Sequence, residues 1–235
     1  MSPHPTNVAP MGLLRASLLV AEKDLRIELR TKELLSAAGL FSALIVFIAS
    51  LAFYLDPAEA RRIAPGVIYV AAAFSGVLAF GRSFAREREF GAMRGLRLTP
   101  IPRPAIYLGK CIATFLLLSA INLGALLLVA LFFHLELEAP LLHVAGFLLL
   151  TTAGFTAAGC LFGALTVVTR ARDLMLSVVL FPLLTPAILI GVVGSREALD
   201  GAPLGELSVW YLLLSAFCAL AIGGGLTLFE LLIED

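Results

Sequence analysis

The 235-residue chain is too apolar and too sparsely charged for a soluble globular protein, since 60% of its residues are hydrophobic and only 14% are charged. Soluble domains are about 45–50% apolar and about 25% charged. The same composition excludes a disordered chain and a disulfide scaffold. Because 17 basic and 17 acidic residues balance to a net charge of zero, no basic excess indicates nucleic-acid binding.

The chain begins with a polar stretch, and we expect residues 1–10 to be a disordered leader. It is not predicted to be a cleavable signal peptide, because eight charged residues within 22–33 precede the first long apolar run. Residues 11–33 are predicted to form an amphipathic helix in the membrane interface, with cations that favour an anionic leaflet. Its apolar stripe recurs every three or four residues, at Leu14, Leu18, Ala21, Leu25 and Leu29. The alternative is an ordinary lead-in to the first span.

Six runs contain no Asp, Glu, Lys or Arg, and each is close to or above the roughly 20 residues that a membrane-spanning helix needs. They cover residues 34–55, 63–81, 111–135, 139–169, 174–195 and 207–229. The runs lack the two-residue alternation of a membrane β-barrel. We therefore predict an all-α membrane protein in which residues 34–235 form a six-span domain, with helices at about 34–55, 63–81, 105–133, 141–168, 174–194 and 207–231.

The basic residues are distributed very unevenly between the two ends of these spans. Fourteen Lys and Arg lie in the N-terminal segment and in the second and fourth connections, against three on the other side, namely Arg61, Arg62 and Arg196. Since cytoplasmic connections carry the excess of Lys and Arg, both termini are predicted to be cytoplasmic.

The second connection carries the strongest signal for a partner protein. Charges of both signs alternate there with Phe84, Phe90, Met93 and Leu96, which predicts a short helix with an apolar edge that docks on a partner. We call residues 84–96 the docking segment. Pro100, Pro102 and Pro104 follow, and they favour a stiff extended path into the third span. The alternative is a solvated loop whose arginines serve topology alone.

Two spans contain features that affect helix packing. Gly159 and Gly163 form a small-xxx-small pair in the fourth span, which predicts either a subunit interface or close packing within the chain. Pro182 and Pro186 lie one turn apart in the fifth span and predict a strong kink or a discontinuous helix. Such helices line substrate paths in some transporters and are passive kinks in others.

No catalytic or metal-binding constellation is visible in the sequence. There is no phosphate-binding loop, so any ATPase activity is expected in another subunit, and the chain is not predicted to be an enzyme. His134 and His143 flank the third connection with Glu136 and Glu138 between them, but a solvated loop is the favoured interpretation over a metal or haem site. No catalytic residue, metal or resident cofactor is predicted, and Cys111, Cys160 and Cys218 match no metal-site spacing.

The string from Arg62 to Ala72, RIAPGVIYVAA, resembles the opening of the second span in the haem exporter protein B (CcmB) family. The resemblance continues through the PIPRPA run at 100–105 and Lys110, and returns at GALTV, 163–167, and FPLLTP, 181–186. It implies an ABC-2-like permease subunit for c-type cytochrome biogenesis in the bacterial inner membrane. Haem then enters as cargo handled with partners.

The resemblance also implies the partners of this subunit. They are a second copy of the chain, a cytoplasmic ATPase (cytochrome c maturation protein A), haem-handling protein C, small protein D and the haem chaperone E. ATP hydrolysis would drive haem delivery or release of the loaded chaperone. The ATPase contact is expected at Phe84, Arg86, Glu87, Glu89, Phe90, Met93 and Leu96. The alternatives are export of a drug, lipid or polysaccharide, and a scaffold that transports nothing.

Overall fold

The chain folds into seven helices over the residues that the computed structural model describes, which are 12–53, 56–89, 102–135, 138–168 and 172–234. None of these residues lies in a strand, so the predicted all-α class is confirmed. The helices are α1 (Leu13–Thr31), α2 (Glu33–Ala52), α3 (Pro57–Glu89), α4 (Arg103–Phe132), α5 (Ala139–Val168), α6 (Arg172–Leu199) and α7 (Leu204–Glu234).

Helices α2 to α7 each contain a segment long and apolar enough to cross a membrane. These segments are Glu33–Ala52, Glu59–Gly81, Pro104–Phe132, Ala139–Ala164, Leu180–Leu199 and Leu204–Phe229. They confirm the six spans expected from the charge-free runs. Six crossings place the start of α2 and the end of α7 on one side of the membrane. We call it the basic side, because 14 of the 17 Lys and Arg lie there.

Helix α5 lies at the centre of the bundle and packs against α3, α4, α6 and α7. Its small residues let the neighbouring helices approach closely. A methyl group added at Gly154 would lie 2.8 Å from the ring of Phe217 on α7, and one added at Gly159 would overlap the ring of Phe80 on α3. Of the two alternatives for the glycine pair, Gly159 therefore serves packing within the chain.

Helix α3 continues well beyond the hydrophobic segment that ends at Gly81. It runs on to Glu89, so its last eight residues extend about 12 Å past the apolar segment on the basic side at 1.5 Å per residue. The described part of the docking segment, residues 84–89, is therefore a helical continuation of the second span, and the rest of the predicted docking helix lies outside the described residues.

Helix α1 packs along α4 and barely touches α2, its neighbour in the chain. The face that it buries consists of Ala16, Ser17, Val20, Ala21 and Glu28. Only Ala21 of the predicted apolar stripe lies on that face, and Leu14, Leu18 and Leu29 remain exposed on the outside of the bundle. These leucines are free to face lipid, as an interfacial helix requires.

Helix α6 passes through both of its prolines without a break. Pro182 and Pro186 lie inside the single helix Arg172–Leu199, so the expected discontinuous helix is wrong, while the alternative of a kink stays a prediction. Each proline removes one backbone donor, but neighbouring turns supply enough hydrogen bonds to keep the helix continuous.

Candidate functional site on the basic side

The first element of the site is a close approach of α1 to α4 at Gly109. A methyl group added at Gly109 would lie 2.6 Å from the carbonyl oxygen of Ser17 and 2.6 Å from Cβ of Val20. Since real Cβ atoms do not approach so closely, only glycine at this position lets the backbone of α1 lie against α4. Gly109 therefore sets the distance between the two helices.

The second element is an ion pair formed one residue further along α4. The Lys110 ammonium donates to Asp24 Oδ2 on α1 at 3.3 Å, and the Lys110 side chain is only 2% exposed, against 21% for Asp24. Lys23 also contacts the carboxylate, with its Nζ 3.1 Å from Oδ1. Lys110 lies seven residues, or about 10 Å, into α4, where an ammonium needs a counter-ion to stay charged.

The third element is a carboxylate cap that joins α1 to the start of α2. The Glu28 side chain is 4% exposed and its Oε1 accepts hydrogen bonds from the backbone N–H groups of Leu34 at 2.6 Å and Leu35 at 3.1 Å. Lys32 between the helices has a left-handed backbone with φ of 53°. A negative group at a helix N-terminus is favourable, so Glu28 fixes the sharp corner between α1 and α2.

Asp24 and Glu28 lie four residues apart and therefore on the same face of α1. One carboxylate binds Lys110 of α4 and the other binds the first turn of α2. Helix α1 thus connects the starts of two spans that are not consecutive in the chain. We call these contacts together with Gly109 the α1 clamp.

The start of α4 connects the α1 clamp to the docking segment. Pro102 has an extended backbone, with φ −56° and ψ 129°, and precedes the first helical residue. Pro104 lies in the first turn, where its missing N–H costs nothing. These two prolines of the predicted stiff linker therefore end the connection and begin α4 directly, whereas Pro100 lies outside the described residues.

The residues predicted to contact a partner divide into two groups. The backbone of Phe84, Arg86, Glu87 and Glu89 lies in the last two turns of α3, beyond the apolar segment. The predicted contact residues Phe90, Met93 and Leu96 lie outside the described residues. The structure therefore places the first group at the basic side, near the membrane surface.

The centre of the bundle contains a second polar region, which the sequence reasoning did not identify. Ser75 on α3 donates to Asn122 Oδ1 on α4 at 3.1 Å, and Asn122 Nδ2 donates to Thr152 on α5 at 2.9 Å. Thr152 in turn donates to the Leu148 carbonyl at 2.7 Å. All three network side chains are buried. The only sequence signal was Asn122 itself, a polar residue in the middle of an apolar run.

The opposite side carries no comparable set of charges among the described residues. His134 is exposed, with a left-handed φ of 54°, and His143 contacts the ring of Tyr211 edge-on. Within the described part of the chain, no three His, Cys, Asp or Glu side chains come together as a metal site. Glu138 is exposed, and Glu136 lies outside the described residues.

The sequence reasoning did not identify Lys110 as a residue of the site. It counts Lys110 with the basic residues of the second connection, but the side chain is buried inside α4, within the span expected at 105–133. The available signal was its position after Gly109 and directly before an apolar run, in which a lysine needs an anionic partner.

Within the described residues, six apolar helices and a further helix packed along α4 define a multi-pass α-helical membrane protein. Residues 15–228 match the CcmB protein family, and the chain belongs to that family. It is 31% identical to heme exporter protein B of Haemophilus influenzae over 172 residues, which cover 73% of this chain and 77% of the relative. It is 28% identical to heme exporter protein B of Pseudomonas aeruginosa over 209 residues, 88% and 90% of the two chains. The corresponding protein of Paracoccus denitrificans is 30% identical over 186 residues, 77% and 82% of the two chains.

Proposed function

We propose that this chain is the permease subunit of an ABC-type complex that handles haem for c-type cytochrome biogenesis. The relatives carry haem export in their names, and the family match covers nearly the whole chain. The observation that carries the proposal is the extension of α3 past its span. This extension supports the proposal, because residues 84–89 of the docking segment continue α3 beyond the apolar segment, towards a separate subunit in the aqueous phase.

The basic side is the cytoplasmic side in this proposal, and the membrane is the bacterial inner membrane. Fourteen Lys and Arg against three support that orientation. The ATPase, cytochrome c maturation protein A, then binds the docking segment from the cytoplasm. ATP hydrolysis on that subunit drives haem delivery or release of the haem-loaded chaperone E on the outer side.

A second copy of the chain, haem-handling protein C and small protein D complete the proposed complex. A row of three aromatic rings, two exposed and the third, Phe181, half-buried, supports a face for another subunit. Phe41, Phe74 and Phe181 lie on α2, α3 and α6, and their ring centroids are 5.8 and 6.2 Å apart in edge-to-face contacts. The row spans three helices and offers a rigid apolar surface to a helix of a partner.

The docking claim is tested by co-purification with the ATPase subunit after Phe84, Phe90 and Met93 are replaced by Asp. We expect association to fall at least tenfold, because three new carboxylates cannot enter an apolar groove without losing hydration. The matched control is Leu204→Asp, an exposed leucine at the opposite membrane side. Undiminished association of the triple variant would contradict the docking claim.

The cargo is tested by the yield of c-type cytochromes in cells that depend on this chain. A complex that exports a drug, lipid or polysaccharide would leave that yield unchanged when the chain is deleted. A scaffold that transports nothing would support normal yield with an ATPase partner that cannot hydrolyse ATP. The proposal predicts loss of holocytochrome in both experiments.

A further inference from the structure

We propose that Lys110 is a positioning residue that makes α1 and the start of α4 move as one body, so that displacement of the start of α4 reaches the start of α2. This inference rests on the proposed function. It adds a defined route by which a push from the ATPase enters the membrane bundle.

The route begins at Pro102, where α4 starts. Between Pro102 and Lys110 the chain is helical, so force applied at the start of α4 moves Lys110 with it. The ammonium is nearly buried and holds the Asp24 carboxylate of α1 at 3.3 Å. Separating a nearly buried ion pair is unfavourable, because the attraction between the two charges is lost in a site where water screens them little. Helix α1 must therefore follow α4.

The route ends at α2, four residues further along the same face of α1. The Glu28 carboxylate accepts two backbone N–H groups from the first turn of α2. Helix α1 makes few other contacts with α2, so these bonds and the corner at Lys32 are the direct connection between the two helices. Motion of α1 is thus passed to the first span, whose outer face carries exposed apolar side chains.

The second carboxylate of α1 gives this ion pair a role besides stability. Lys110 binds α1, which is not one of the six spans, and α1 is fixed to α2 by Glu28 on the same face. Gly109 brings the two backbones together at the same level.

The experiment measures two distances by electron-spin resonance in the membrane-reconstituted complex with its ATPase. Cys111, Cys160 and Cys218 are first replaced, and spin labels are placed at exposed positions. Leu14 on α1 and Leu116 on α4 report the α1 clamp, while Leu127 on α4 and Leu142 on α5 are the control pair. We expect one narrow Leu14–Leu116 distance that stays narrow when ATP is added.

Two variants separate loss of the α1 clamp from damage by an unpaired charge. Lys110→Met leaves Asp24 without its main partner, whereas the double variant Lys110→Met with Asp24→Asn leaves no such charge. We expect both variants to broaden the Leu14–Leu116 distribution at least twofold and to leave the Leu127–Leu142 distribution unchanged. Lys110→Glu with Asp24→Lys re-forms the pair in reverse and is expected to restore the narrow distribution.

The ratio of haem delivered to ATP hydrolysed is the readout that a purely structural role of Lys110 would leave unchanged. In the double variant we expect the ATPase to hydrolyse ATP at the wild-type rate, while haem delivered per ATP falls at least fivefold. Arg26→Met, which removes an exposed cation of α1 that pairs with Glu22 outside the α1 clamp, is the matched control with unchanged coupling. An unchanged distance distribution or an unchanged coupling ratio in the double variant would overturn the proposal.

The proposed function and the role of Lys110 fail in different ways. If the wild-type chain neither binds an ATPase nor delivers haem, the proposed function is wrong and the transmitting role falls with it. The distance measurement on the chain alone still shows whether the pair holds α1 against α4. If the wild type couples normally and the double variant does too, only the role of Lys110 is wrong.

Discussion

The two polar regions of this bundle differ in the kind of group that they use. On the basic side the α1 clamp uses ionised groups, in the pair of Lys110 with Asp24 and in the Glu28 cap. At the centre the network uses only neutral groups, Ser75, Asn122 and Thr152. Both regions are buried, but the α1 clamp connects a surface helix to spans and the network connects spans to one another.

Solvation explains this difference. A lysine at the bilayer centre costs about 2.5–3.5 kcal/mol on insertion scales, whereas an amide or hydroxyl with fixed partners costs far less. About 10 Å into α4, Lys110 still lies near the aqueous phase and has a counter-ion, so the charge is tolerated there. The comparison teaches that charged contacts occur at the edge of the bundle, where water is near, and that neutral hydrogen bonds connect the spans at its centre.

The largest loss of stability is expected at the edge of the bundle on the basic side, in the α1 clamp. Lys110→Met should reduce the free energy of unfolding by about 2–3 kcal/mol, less than for a fully buried pair because Asp24 retains some contact with water. Denaturation by sodium dodecyl sulfate in bicelles measures this change. The double variant with Asp24→Asn should recover at least half of the loss, because no carboxylate is then left unpaired. Equal losses in the two variants would contradict the ion-pair account.

The next largest loss of stability is also expected at the basic side, and it tests the close approach of the α1 and α4 backbones at Gly109. Gly109→Ala should cost about 1–3 kcal/mol, because the added methyl group meets the Ser17 carbonyl and Val20 and must push α1 away. Gly124→Ala on the same helix is the control, since nothing lies within 4 Å of its added methyl group. That variant should be neutral or gain up to about 1 kcal/mol from helix propensity. The same denaturation assay compares the two variants. Equal stability of Gly109→Ala and Gly124→Ala would contradict the steric argument.

A smaller effect is expected at the centre. Asn122→Ala removes the only residue that bonds to both Ser75 and Thr152, and should cost about 1–2 kcal/mol, near the upper end for hydrogen bonds between membrane helices. Ser119→Ala, one turn away on α4, is the control. The Ser119 hydroxyl is buried and makes no hydrogen bond within the described residues, so its loss should be neutral. If both variants lose the same stability, the network has no special role.

The smallest effect is expected for Ser75→Ala, at about 0.5–1 kcal/mol. Asn122 keeps its bond to Thr152 in this variant, and the Ser75 hydroxyl shared its bonding with the Ala72 carbonyl of its own helix. The decisive comparison is functional. Ser75→Ala should leave haem delivery per ATP unchanged, whereas a coupling defect as large as that of the Lys110 double variant would erase the distinction between edge and centre.

Much of this architecture follows from composition, because six runs without charges have no other stable environment than lipid. The extension of α3 to Glu89 could not be predicted in this way, since the interleaved charges of 82–89 suit a helix in water and a loop equally well. The continuity of α6 through Pro182 and Pro186 could not be predicted from composition either, because it depends on the backbone hydrogen bonds of the turns around the two prolines.

The candidate site was predicted in part only. The docking segment stays a prediction from its pattern of aromatic and charged residues, whereas the α1 clamp depends on contacts between residues far apart in the chain. Lys110 and Asp24 are separated by 86 positions. Counting charges assigns both to connections, and only the packing of α1 on α4 brings them together. The sequence analysis also missed the buried face of α1, because the fit of its small residues against α4 depends on how these two distant segments pack.

The account depends most on the basic side being the cytoplasmic side. The direct test places a single cysteine at Met93 or at Leu204 in a chain whose native cysteines are replaced, and adds a membrane-impermeant maleimide to intact cells. We predict labelling at position 204 at once, and at position 93 only after the cells are permeabilised. Labelling at position 93 in intact cells would put the docking segment outside, beyond the reach of a cytoplasmic ATPase, and would contradict the account.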